Sequence, residues 1–245
     1  SACFLSRVPG GAPVESDPKQ RANLRSIALT FRDTNFRRLL VGIGLAVFGT
    51  LAALTFLPLF LTERAGFTAG SALLLQNIML IGVVVFSYFW GWSSDRYGSK
   101  PVSVIGMGMM AMLLLLWLVL PTNHKLSGVA AGGIFFFMGM ANIAYNVGAT
   151  RHLFLSMPIE KREHYIPAYY VVFNLSLGLA PLLGGLALDG MKTWADRTGN
   201  ENFDPYMPLF IASAVCCAAA AWVFQRMHRR GDMETRKFAG LFVQG

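Results

Sequence analysis

Six stretches without a charged side chain divide this 245-residue chain: Leu39–Leu61, Ala72–Trp92, Val102–Leu120, Leu126–Gly148, Pro167–Leu188 and Met207–Phe224. A hydrocarbon layer about 30 Å thick, crossed at ~1.5 Å per helical residue, requires about 20 residues. Each stretch meets or closely approaches that length. Composition agrees, because 54% of the residues are hydrophobic and 14% charged, against roughly 25% charged in soluble domains. Only helices and closed barrels satisfy their backbone groups in lipid. Continuous apolar runs such as Met112–Leu120 lack the period-two alternation of barrel strands, so the fold class is an all-α membrane protein with six transmembrane helices.

The formal charge of +8 follows topology and forms no nucleic-acid face. Seven Lys or Arg precede the first span, two lie between the second and third, three between the fourth and fifth, and five after the sixth. Of the 21 in all, only Arg64, Lys125, Lys192 and Arg197 fall on the other side. Since cytoplasmic loops retain Lys and Arg, this asymmetry predicts both termini inside, with attraction to anionic lipid as a secondary effect.

Between the second and third spans stands Gly91-Trp-Ser-Ser-Asp95-Arg96-Tyr-Gly98-Ser-Lys100. It resembles the signature G-x-x-x-D-R-x-G-[RK]-[RK] of the major facilitator superfamily of secondary transporters. Gly91, Asp95, Arg96, Gly98 and Lys100 match, whereas Ser99 replaces a usual base and Ser93 a usual Leu. The resemblance implies a conformational latch on the cytoplasmic side that favours one access state. Chemically, Asp95 can accept from the exposed N–H groups that start the next helix, or from a helix N-terminus across a domain interface. Gly91 and Gly98 permit close approach and a tight turn, and Arg96 and Lys100 belong among the headgroups.

The same resemblance implies one six-helix domain built from two inverted three-helix units, in a bacterial inner membrane. Residues 1–35 then read as a cytoplasmic linker, 36–225 as the domain and 226–245 as a basic cytoplasmic tail. Ala2–Ser6 fits the last turn of a preceding helix, and Ala22–Phe31 a short amphipathic surface helix. With no initiator Met, the chain reads as a fragment, and the C-terminal half is the favoured assignment. The N-terminal half usually has an Arg well inside its fourth helix, whereas Arg151 stands at that helix's end. Gly91-x-x-x-Asp95 and Gly185-x-x-x-Asp189 are a faint echo of the repeat.

Polar side chains single out the second, fourth and fifth helices. The third offers only Ser103, and the sixth only Ser213 besides Cys216 and Cys217. Gln76, Asn77, Ser87 and Tyr88 lie on the second, Asn142, Tyr145 and Asn146 on the fourth, and Tyr170 and Asn174 on the fifth. Polar groups in hydrocarbon need a partner or water, so these helices are expected to line an interior. Asn142, Tyr145 and Asn146 are expected to share a face and to meet Tyr170 and Asn174 in one pocket for a small-molecule substrate, with Gln76 and Asn77 as further cavity candidates. Interhelical bonding is the competing role. Pro181 is expected to kink the fifth helix, and Gly128-x-x-x-Gly132 and Ala180-x-x-x-Gly184 to permit close helix contact.

No Asp, Glu, Lys, Arg or His interrupts the six stretches, so coupling to an ion falls to a partner half or to Glu63 or Asp189 at the outer rim, where solvation is the simpler expectation. His124, His152, His164 and His228 fall at helix ends or in loops and are expected to be solvated there. Gly106–Ala111 fits G-x-G-x-x-A but has no preceding strand, which argues against a dinucleotide site. No metal, cofactor or catalytic residue is implied. The expected function is transport of a small solute by alternating access, in partnership with another six-helix half and the bilayer. The alternative is a six-helix scaffold that moves no solute.

Overall fold

A computed structural model describes residues 30–120, 127–157, 162–198 and 203–227. Most of the expected linker and tail, Lys125, His124 and His228 lie outside them. Six helices follow one another: α1 (Thr34–Glu63), α2 (Ala69–Tyr97), α3 (Ser99–Leu116, extended by a 3-10 turn Trp117–Val119), α4 (Ser127–Ser156), α5 (Arg162–Thr198) and α6 (Tyr206–Arg226). All six are long and apolar enough to cross a membrane, and no strand occurs among the described residues.

The helix ends follow local chemistry. Asp33 caps α1 by accepting from the Asn35 and Phe36 N–H groups at 2.9 and 3.4 Å, and the Thr68 hydroxyl caps α2 by accepting from the Ser71 N–H. Several helices run past their apolar stretches, α5 most of all. Its 37 residues extend about 55 Å, nearly twice the hydrocarbon thickness. Charge marks where lipid ends, but the backbone ladder continues until a breaker stops it. α5 is also continuous through Pro167 and Pro181, though each lacks an N–H for the preceding turn.

The helices pack as an open arc in the order α2, α4, α3, α6, α1, α5, each pressed mainly on its neighbours in that series. Exchanging α1 with α4, α2 with α5 and α3 with α6 maps this set of interfaces onto itself, as two related three-helix units require. α2 and α5, at the ends of the arc, are the least covered. Aromatic residues fill the core at the end opposite Asp95: Phe60 meets Trp117, Tyr206 and Phe210 with ring centroids 6.2, 5.5 and 5.3 Å away.

Between helices in lipid there is little hydrophobic driving force, so close backbone approach matters more. The expected small-residue contacts are present: Gly132 lies against Ile78 of α2, and Gly184 against Phe56 of α1. The tightest contact is elsewhere. A Cβ on Gly139 of α4 would overlap the Met79 carbonyl of α2, and one on Gly82 would overlap the Phe136 carbonyl. α2 and α4 therefore touch backbone to backbone.

Candidate functional site

The turn between α2 and α3 is a single residue, Gly98, with φ 97° and ψ 163°. Side chains with a Cβ rarely adopt that φ. Gly98 donates its N–H to the Ser94 carbonyl, and α3 begins at once. Asp95 is thereby held on the last turn of α2 with its side chain 82% exposed.

The partner of Asp95 is Arg151, near the end of α4. Its Nη1 donates to Asp95 Oδ1 at 2.7 Å and reaches Ser94 Oγ at 3.5 Å. This corrects the expectation that Asp95 caps the start of α3. The α3 N-terminus has no side-chain cap. Within this chain a Cβ on Gly91 would meet nothing within 4 Å. Gly91 lines a groove of about 580 Å³ together with Ser94, Asp95, Asn146, Thr150 and Arg151. Arg96 lies over the rings of Trp92 and Tyr97, at 5.4 and 5.8 Å from their centroids. Lys100 is half-buried.

The two departures from the signature point inward. Ser99 is buried, its hydroxyl 3.3 Å from Nδ1 of a buried His152, so His152 is not the solvated histidine expected from sequence. Ser103 donates to the Ser99 carbonyl in the same layer. Ser93 is fully buried, and its hydroxyl finds no hydrogen-bond partner.

The polar candidates do not converge. Tyr145 is only 7% exposed and packs against Phe224, away from the face of Asn142 and Asn146. One step of three residues turns a helix by about 60° short of a full circle and one of four by about 40° beyond it, which separates Tyr145 from Asn146. Asn146 donates to the Asn142 side-chain and backbone oxygens, and Asn174 to the Tyr170 carbonyl, within their own helices. α4 packs on α2 and α3 while α5 packs on α1, so Asn146 joins the Asp95 groove and not Asn174. Asn174 and Tyr170 stand exposed on α5. Asn77 bonds to the Leu73 carbonyl in its own helix, and Gln76 reaches the Leu54 carbonyl of α1 at 3.5 Å.

A second polar cluster at the opposite end was not anticipated. Glu63 is exposed, as expected, but it also accepts from Lys192 Nζ at 2.8 and 3.1 Å and from the Tyr206 hydroxyl at 2.6 Å, joining α1, α5 and α6. Asp189 remains exposed. The missed residues, Arg151, His152, Lys192 and Tyr206, share one signal: each sits at a helix end that the alternating topology returns to the same side as its partner.

Comparison with known proteins identifies the family. The sequence pattern described as Major Facilitator Superfamily matches residues 2–181 and, in a second overlapping alignment, residues 39–240. The gentisate transporter of Corynebacterium glutamicum is 36% identical over 90 residues, which cover 35% of this chain and 20% of that protein. The chain thus aligns with about a fifth of the curated relative's length. No solved structure matches it. With six membrane-crossing helices, a signature turn and a family match over most of its length, the chain is an integral membrane protein that belongs to the Major Facilitator Superfamily.

Proposed function

We propose that the chain is one six-helix half, the C-terminal one, of a secondary transporter that moves a small solute by alternating access. The observation that carries this reading is the Asp95–Arg151 pair: a mostly exposed carboxylate, fixed by one guanidinium at the end of the least covered helix. Asp95 retains a second oxygen for a group outside this chain, as a latch between two halves requires. The distribution of Lys and Arg supports a cytoplasmic location for that end. Asn77, Asn142, Asn146, Tyr170 and Asn174, with Gln76 deeper on α2, are the proposed cavity groups. Tyr145 enters only through the core packing that supports α4.

Asp95→Asn keeps the size of the side chain and removes its charge. In cells expressing the complete reading frame, uptake should fall about tenfold, equivalent to ~1.4 kcal/mol, while the amount of folded protein is unchanged. Gentisate, for which the relative is named, is the first solute to offer, followed by other small organic acids. Normal uptake of a transported solute by the variant would reduce Asp95 to a structural role. Once a solute is known, Asn146→Ala and Asn174→Ala divide the cavity reading. Loss of a solute contact should weaken affinity by about 5- to 150-fold, the equivalent of ~1–3 kcal/mol. A fall in thermal stability alone, in both variants, would remove these residues from the cavity.

A further inference from the structure

α3 and α6 form the middle of the arc, and between them runs a groove of about 600 Å³. Gly108, Ala111, Ala214 and Ala218 make its shallow side, with Val215 and Trp222 standing beside it, 61% and 52% exposed. Gly108 has no packing role that explains it. A Cβ at Gly106 would strike the α4 backbone, with Tyr145 N at 2.6 Å, but one at Gly108 would meet nothing within 4 Å. The space beside Gly108 is left open.

We propose that this groove holds one acyl chain of an anionic phospholipid whose phosphate is taken by Arg226. The guanidinium carbon of Arg226 lies 3.8 Å from the centroid of the Trp222 ring, which lines the groove. Stacking of this kind fixes the planar fork without using its N–H donors, leaving them for the oxygens of a phosphate. No carboxylate among the described residues forms an ion pair with Arg226, and Gln225 supplies a further polar group at the same mouth. This is the end of the molecule that carries Asp95, Arg37 and Arg38, where a basic surface attracts anionic headgroups. Depth fits as well. From Trp222 to Ile211, the far lining residue, α6 rises about 16 Å, one leaflet of a ~30 Å hydrocarbon layer. The groove between α3 and α4, lined by Leu113, Val119, Gly133 and Phe137, is apolar throughout and lacks such a cation.

The test is lipid retention by the purified full chain, using native mass spectrometry and melting in micelles doped with phosphatidylglycerol or phosphatidylcholine of identical acyl chains. One phosphatidylglycerol should remain bound per chain, with a preference of about fivefold over phosphatidylcholine, because one basic residue near an anionic surface contributes ~1 kcal/mol. Arg226→Gln should erase the preference and leave both lipids weakly retained. Gly108→Phe should block retention of either lipid without lowering the lipid-free melting temperature, since its side chain enters open space. Ala218→Phe repeats the blockade from α6 if Gly108→Phe fails to fold. Glycerol phosphate alone should have no effect, which separates a lipid from a free phosphate. Equal retention of the two lipids by the unmodified chain would overturn the proposal. So would phosphatidylglycerol binding that survives both blocking variants, or a lipid-free dimer that the blocking variants dissociate.

Discussion

Among the ion pairs of the described residues, one at each end of this bundle invites comparison, because the two are built differently. At one end Asp95 is bound through a single oxygen to Arg151, with its side chain 82% exposed. At the other, Glu63 is gripped by Lys192 through both oxygens and by the Tyr206 hydroxyl, while Lys192 also sits 5.4 Å from the centre of the Tyr206 ring. The chemistry is the same, a carboxylate and a cation between helices, but the number of restraints is not. A singly held carboxylate can change its other partner at little cost, as a switching contact must. One held by three bonds fixes geometry, and the Glu63 cluster does so for the part of α5 that runs beyond its apolar stretch. The pair with the recognisable sequence motif is the loosely held one.

The strongest challenge to this contrast comes from Gly139→Leu. Its side chain has no room against the Met79 carbonyl, so α2 must separate from α4, carrying Asp95 away from Arg151. Overpacking of this kind costs about 1–3 kcal/mol or more, and the melting temperature in detergent should fall further than for any variant below. A neutral result would mean that α2 and α4 are not in backbone contact.

Glu63→Gln should be next, because it leaves Lys192 without its anion and weakens a charge-assisted bond from Tyr206; with Glu63 41% exposed the expected loss is about 1–2 kcal/mol. Tyr206→Phe should cost less, and in both variants uptake per folded molecule should hold. A selective fall in uptake with unchanged melting would move the Glu63 cluster into the transport machinery and dissolve the contrast. The smallest effect belongs to the other pair. A double-mutant cycle on melting with Asp95→Asn and Arg151→Gln should give a coupling of only ~0.2–1 kcal/mol, the range of exposed ion pairs. A larger coupling would make the pair a structural tie like Glu63–Lys192.

The spans were legible because hydrocarbon thickness imposes a length on any helix that crosses it. The helix ends were not, since α5 continues through Asp189–Thr198, where charged side chains reach water while the backbone ladder persists. The turn carried its own signal in Gly98 and Asp95. Arg151 lies 56 residues from Asp95, and the pairing depends on how α2 and α4 are rotated about their axes, which spacing along one helix leaves undetermined. Tyr145 failed for the same reason: one residue from Asn146, it points instead into the core beside Phe224. Polar residues identified helices worth attention, whereas the separation of Asn146 from Asn174 was decided by the arc.

The contact at Gly82 and Gly139 has a mechanical meaning for the pair beyond it. Helices whose backbones touch cannot slide past one another without collision, so α2 and α4 travel as one piece in any rocking of the molecule, and Asp95 and Arg151 travel with them. Their bond is then not a pin shared between moving parts. It is a tooth cut on a single gear, whose profile is set before it engages anything else.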